Sequence, residues 1–263
     1  MNIHLRKYKT IGKEEKKVGA SGLMGVFYTF SEWVMRLLII NLLWITFNIP
    51  IVYLVINLIA VETINELFMV AMTIAALLPF VFFPATSALF AVTRKWVMKE
   101  TDIRIIPSFW RYYKENYVRS MVGGLILGAI WAIYVLDYYY FILLKGESFG
   151  STLFFFLSIV FLIVFMFLLV FTFNFVSYTV HINESLLKSL KDSFIITIGN
   201  PLISISICGL NALIIYISFS VLTFLIPFFM GALIALISFA GFYMIYLKVV
   251  SMNETRSGYP RSV

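Results

Sequence analysis

One cysteine, two histidines and a 13% share of charged residues leave this 263-residue chain short of the side chains that most chemistry uses. Cys208 stands alone, so neither an intrachain disulfide nor a cysteine-based zinc cluster can form. His4 and His181 lie far apart, without the His-Glu-x-x-His spacing of a zinc hydrolase. There is no nucleophile elbow, phosphate-cradling glycine loop or pair of catalytic carboxylates. No catalytic, cofactor-binding or metal-binding residue is therefore assigned, and an enzyme is not expected. No carboxylate falls at the centre of an apolar stretch, Asp137 being near the end of one, which weakens proton-coupled transport. The first 20 residues are polar and basic with no apolar central region, so a cleavable signal peptide is not expected.

What the chain has in abundance is apolar surface: 62% of its residues are hydrophobic, with 27 Phe and 15 Tyr. An ordinary soluble domain does not carry that composition. Apolar stretches run over about 34–58, 67–92, 120–144, 152–180, 200–223 and 226–248, each supplying the roughly 20 residues that a bilayer core needs. All of the 20 Lys and Arg residues except Lys145 fall in the tail 1–33, the segments 93–119, 181–199 and 249–263, or at the span edges Arg36 and Lys248. Basic loops stay in the cytoplasm, so the pattern predicts six spans with both termini inside. The expected fold is all-α: a polytopic membrane helical bundle with short cytoplasmic amphipathic helices. Its expected parts are a basic cytoplasmic arm (1–22), one membrane domain (23–250) and a cytoplasmic tail (251–263). The net charge of +7 is accounted for by loops facing anionic lipid, so the lipid bilayer is the expected partner and nucleic acid is not.

The segment Leu23 to Trp33 is apolar and ends in Glu32 and Arg36, which predicts either an interfacial helix ahead of span one or a longer, tilted first span. Between spans two and three, Arg94, Lys95, Trp96, Lys99 and Arg104 precede Pro107 and Ser108. Phe109, Trp110, Arg111, Tyr113, Lys114 and Tyr117 follow at helical spacing. An amphipathic helix on the inner leaflet is one reading. The other is a helix that docks a partner, with Arg94, Lys95, Trp96, Phe109, Trp110, Arg111, Tyr113 and Lys114 as candidate contacts. Lys114-Glu115-Asn116-Tyr117 ahead of span three is echoed by Lys191-Asp192-Ser193-Phe194 ahead of span five, an arrangement that parallel repeats would produce.

Within the spans, Pro79 and Pro84 bracket a Phe-rich turn, and Pro227 is expected at the hairpin between spans five and six. Proline frees a helix carbonyl that lipid cannot satisfy, which makes either a kink or a broken helix at a substrate site. Asn41, Asn48, Asn174 and Asn211 are the intramembrane polar candidates, as interhelical glue or as the lining of a polar path. Gly123, Gly124 and Gly128 give a small-residue face for close helix packing.

Gly25-Val26-Phe27-Tyr28, Glu32-Trp33-Val34-Met35-Arg36-Leu37 and Asn41-Leu42-Leu43-Trp44 resemble the opening of the YesL family of bacterial membrane proteins, catalogued as domain of unknown function 624. Pro84-Ala85-Thr86, Arg94-Lys95-Trp96, Glu100-Thr101-Asp102-Ile103, Phe109-Trp110, Asp137, Tyr178 to His181 and Asn200-Pro201 extend the likeness. Phe83 departs from it, standing where the family usually has glycine. The resemblance implies a Gram-positive cell membrane protein of a bacillus-type bacterium. It also implies genes that accompany carbohydrate-uptake transporters and glycoside-degrading enzymes, with no established activity.

Two function classes remain open. One is a non-enzymatic accessory protein of carbohydrate or oligosaccharide uptake that contacts ABC-type sugar transporter components. The other is a small permease or channel acting by itself. A polar cavity lined by Asn41, Asn48 and Asn174 would favour transport, whereas a sealed bundle would favour the accessory role.

Overall fold

The computed structural model describes residues 23–143 and 151–257. The basic arm 1–22, the connection holding Lys145, Gly146 and Glu147, and the end 258–263 lie outside them. The described residues are helical and contain no strand. The helices are α1 (Leu23–Phe47), α2 (Ile49–Asn57), α3 (Ile64–Leu77), α4 (Phe83–Val97), α5 (Ile105–Leu143), α6 (Ser151–His181), α7 (Leu186–Gly199), α8 (Pro201–Ser220) and α9 (Gly231–Ser257). Six helical runs are long and apolar enough to cross a membrane: Met24–Phe47, Ile64–Val97, Ile105–Leu143, Thr152–His181, Pro201–Ser220 and Ile226–Met252.

Helices run further toward the basic end of the bundle than the hydropathy spans. α1 passes without a turn through the segment that could have been a separate interfacial helix, so the longer first span is the form adopted. It breaks instead at Asn48, whose side chain donates to the Trp44 carbonyl at 2.7 Å; Pro50 then sits in the first turn of α2, where its missing N–H costs nothing. The amphipathic segment around Phe109 is likewise no independent surface helix. It is the first third of α5, whose 39 residues span about 58 Å against a hydrocarbon core of about 30 Å. Nothing between Ser108 and Met121 breaks a helix, and the apolar side of this stretch packs on the bundle: Phe109 is buried against Phe47. The connection between α4 and α5 closes on Lys99, the one described non-glycine residue with positive φ (65°). There the Glu100 N–H reaches the Lys95 carbonyl at 2.8 Å and the Lys99 N–H the Trp96 carbonyl at 3.0 Å, the Schellman pattern.

α4 is the central helix. Ala85, Ala88, Leu89, Phe90, Ala91 and Val92 are all buried, and α1, α5, α6 and α9 pack around them. Small residues let backbones approach where lipid gives helices no hydrophobic reason to associate. The α4–α5 contact depends on Gly124: a Cβ there would lie 2.6 Å from the Phe83 ring. Phe83, the departure from the family pattern, thus fills space that a bare backbone leaves open.

α7 inverts the polarity of a soluble amphipathic helix. Ser189, Ser193 and Thr197, four residues apart, are buried, while Leu187, Phe194, Ile195 and Ile198 are exposed. The segment 181–199, expected as a cytoplasmic loop, is therefore mostly a helix running back along α6, and only residues 182–185 form the turn. Beyond it, Pro201 starts α8, and the Ser204 hydroxyl donates to the Thr197 carbonyl at 2.9 Å across the break.

Candidate functional site

Two sets of candidates converge on distinct places, the prolines and asparagines inside the bundle and the basic and aromatic residues at one end. Pro79 and Pro84 do not open a turn. Residues Leu78–Phe82 form a single π-helical turn, and the helix continues from Ile64 to Val97. Pro84 has no N–H for the Phe80 carbonyl one turn back, and the Tyr117 hydroxyl of α5 donates to that carbonyl at 3.2 Å. Pro227 also sits in a π-turn, Ile226–Met230, leading directly into α9. Here Asn41 of α1 bridges the backbone of the π-turn and the start of α9: its amide nitrogen donates to the Pro227 carbonyl at 2.8 Å, and its oxygen accepts the Ala232 N–H at 2.9 Å.

The other three amides donate within this chain, and their Oδ1 atoms are buried without a partner among the described residues. Asn174 donates to Thr197 Oγ1 at 3.0 Å and Asn211 to Ser238 Oγ at 2.8 Å, while Asn48 bonds back within α1. Asn41 and Asn174 have no exposed surface, and Asn48 and Asn211 have 2% and 3%. Asn41, Asn174 and Asn211 each bridge a different pair of helical segments, and Asn48 closes the break after α1.

At the basic end, the candidate docking residues divide. Trp96 is buried against Trp33 in an edge-to-face contact and Phe109 is buried against Phe47, so both belong to the core. Lys95 pairs with Glu100 at 2.7 Å, and Arg94 donates to the carbonyl of Val180. The four others form an outward ridge along α5. Trp110, 47% exposed, stacks on Tyr113 with the rings nearly parallel (3°) and 5.9 Å apart. Lys114 Nζ sits 4.6 Å over the Trp110 ring, Arg111 lies over Tyr112 at 4.9 Å, and Tyr113 rests on Phe47 at 4.7 Å. The ridge is held in place before anything binds it.

Beside the ridge is a second polar constellation around the α6–α7 turn. Arg119 reaches from α5 and donates to the carbonyls of Ile182 (3.1 Å) and Glu184 (2.7 Å), to Asn183 Oδ1 (3.2 Å) and to Ser189 Oγ (3.1 Å). Together with Arg94 on Val180, it caps the carbonyl end of α6, where the helix dipole favours cations. The Tyr178 hydroxyl lies 2.6 Å from Asp192 Oδ2 and 2.9 Å from Glu184 Oε2; with one proton it donates to one of them at a time. Lys188 Nζ pairs with the other Glu184 oxygen at 2.6 Å. Lys188 and then Tyr178 hold the Glu184 carboxyl below its ordinary range, and Glu184 raises the Lys188 ammonium in return. His181 sits in an aromatic nest of Phe239, Phe242, Tyr243 and Tyr246, the last at 4.6 Å. A cleft of about 310 Å³ opens among Arg94, Tyr112, Glu115, Asn116, Arg119 and the chain from Thr179 to Asn183.

Arg119, Tyr178, His181, Glu184 and Asp192 were not singled out as site residues by sequence reasoning. Their only sequence signal was the echo of charged helix entries and the motif Tyr178 to His181. No group of three or more metal-ligating side chains occurs among the described residues.

Residues 37–138 match the family described as "Protein of unknown function, DUF624". The chain is 26% identical over 244 residues to the uncharacterized protein YteU of Bacillus subtilis (strain 168), covering 91% of this chain and 92% of that protein. It is 32% identical to the uncharacterized protein YesL of the same organism over 98 residues, 37% of this chain and 35% of YesL. A shorter match, 36% over 58 residues, links it to the uncharacterized protein YesV. No solved structure matches. The resemblance to the YesL-type, DUF624 family read from the motifs is borne out by these matches.

Proposed function

We propose that this DUF624 chain is a non-enzymatic accessory protein of the bacterial plasma membrane that serves carbohydrate or oligosaccharide uptake by docking a transporter component. The observation that carries this reading is the ridge Trp110–Arg111–Tyr113–Lys114. Trp, Tyr and Arg are the residue types concentrated at binding hot spots, and preorganised side chains lose little entropy on contact. A lipid-facing helix needs only apolar area and basic charge, not a stacked and cation-covered tryptophan. Asn41 supports the same reading over a permease, since both ends of its amide are spent on the bundle itself. The link to sugar uptake comes from the family resemblance, and the ABC-type permease or its cytoplasmic subunits are the partners it implies.

The test is crosslinked pull-down from native membranes, with mass spectrometry, for the wild type, Trp110→Ala and Arg111→Ala. Truncating such an anchor costs about 2 kcal/mol or more, roughly a thirtyfold loss of affinity. Both variants should insert at normal abundance and lose a specific partner. An unchanged partner set in both would sink the docking role. Sugar flux into liposomes holding only the purified chain would establish the permease instead.

A further inference from the structure

Two guanidiniums meet at the α6–α7 turn, and among the described residues neither has a carboxylate within ion-pair distance. Arg94 and Arg119 both line the cleft of about 310 Å³ and are partly withdrawn from water. Partly buried cations in native proteins are normally paired. The ion pairs among the described residues join Arg36 to Glu32, Lys95 to Glu100, Arg111 to Glu115 and Lys188 to Glu184, and include neither of these two arginines. Their partners are carbonyls, an amide and a hydroxyl, and the end of a helix supplies about half a negative charge against two positive ones.

Three carboxylates lie near. Glu184 is shared among Lys188, Tyr178 and the charge of Arg119, Asp192 accepts from Tyr178 outside the cleft lining, and Glu115, on the cleft wall, is paired outward with Arg111 at 3.7 Å. Donor capacity also remains. Arg94 spends one terminal nitrogen on Val180, and its other terminal nitrogen has no partner among the described residues. The Asn116 side chain, which donates to the Tyr112 carbonyl, stands on the same wall.

The position restricts what could fill the cleft. From Arg94 back through α4, from Arg119 forward to Asp137 in α5, and from His181 back through α6, no Asp, Glu, Lys or Arg occurs. The cleft therefore sits where the uncharged part of each helix ends, at headgroup depth. From this charge imbalance and placement we infer that the cleft between α4, α5 and the α6–α7 turn binds a phosphate group, held by Arg94 and Arg119. Guanidinium forks match a tetrahedral oxyanion in geometry as well as charge, and a phosphate brings the missing negative charge. The group can arrive as a lipid headgroup phosphate or as a soluble phosphate compound.

Thermal melting of the purified chain in a neutral detergent tests this, with inorganic phosphate titrated against chloride at constant ionic strength. A second arm uses nanodiscs of phosphatidylcholine with and without phosphatidylglycerol. Saturable stabilisation in the first arm assigns the site to soluble phosphate; stabilisation confined to phosphatidylglycerol assigns it to a headgroup. Arg94→Gln should abolish the response. Because that variant also loses a helix cap, Glu115→Gln is the decisive partner. It removes a solvent-exposed carboxylate from the wall and should tighten phosphate or phosphatidylglycerol roughly threefold, the order of one repelling unit charge acting across a largely aqueous cleft. The proposal is overturned if neither arm shows a saturable response. It is equally overturned if Glu115→Gln leaves the wild-type affinity unchanged.

Discussion

Replacing Gly124 by alanine adds one methyl group, and the structure says where it must go. The new Cβ would lie 2.6 Å from Cγ and Cδ2 of Phe83 and 2.9 Å from its Cβ. These atoms are the root of the side chain, so no rotation of a flexible tip makes room; α4 and α5 must separate, or Phe83 must leave its rotamer. Overpacking of this kind costs about 1–3 kcal/mol. In a Phe83→Ala background the obstacle is gone, and the same Gly124→Ala change should become neutral or stabilising by up to about 1 kcal/mol, because alanine is the better helix former. The two changes should therefore couple by about 1–4 kcal/mol, a range that reaches the upper end for residues in contact. Reversible unfolding in mixed micelles of mild detergent and dodecyl sulfate, followed by helical circular dichroism, gives the four free energies. If Gly124→Ala costs the same in both backgrounds within about 0.5 kcal/mol, the argument that Phe83 fills the space left by the glycine is wrong.

A cysteine placed at Gly146 should label from outside intact cells while one at Ser108 should not; reversed labelling would overturn the orientation with both ends inside. The depressed Glu184 carboxyl means that its contacts with Lys188 and Tyr178 are fully present above the ordinary glutamate range and are lost as pH falls through its lower folded value. Wild type should accordingly lose more melting temperature than Glu184→Gln between pH 6 and pH 3, and equal losses would remove that carboxyl from the stability of the α6–α7 turn.

Hydropathy and charge made six crossings legible, because both are properties of a run of residues and need no knowledge of what the run touches. The helix boundaries were less legible. Residues 93–119 and 181–199 contain enough charge to read as loops, yet α5 and α7 carry those charges on helices that extend past the apolar stretch. α7 was further disguised because burying Ser189, Ser193 and Thr197 reverses the usual rule of which face turns inward. The aromatic spacing of α5 identified a helix, but two of the rings thought to face outward, Trp96 and Phe109, are core. Arg119 was visible only as one more basic residue, since its acceptors lie 63–70 positions away.

The amide of Asn41 has a history as well as a geometry. Its two hydrogen-bond partners lie 186 and 191 residues further along the chain. During synthesis at about 5–20 residues per second, α1 is complete for roughly 10–40 s before the backbone that will satisfy Asn41 exists. A bare amide in hydrocarbon is costly, so the first helix has a standing reason to remain beside water, a headgroup or the insertion machinery until the last helix arrives. The seam between α1 and α9 is then closed late: a chain halted before Pro227 would leave the Asn41 amide without either of these partners.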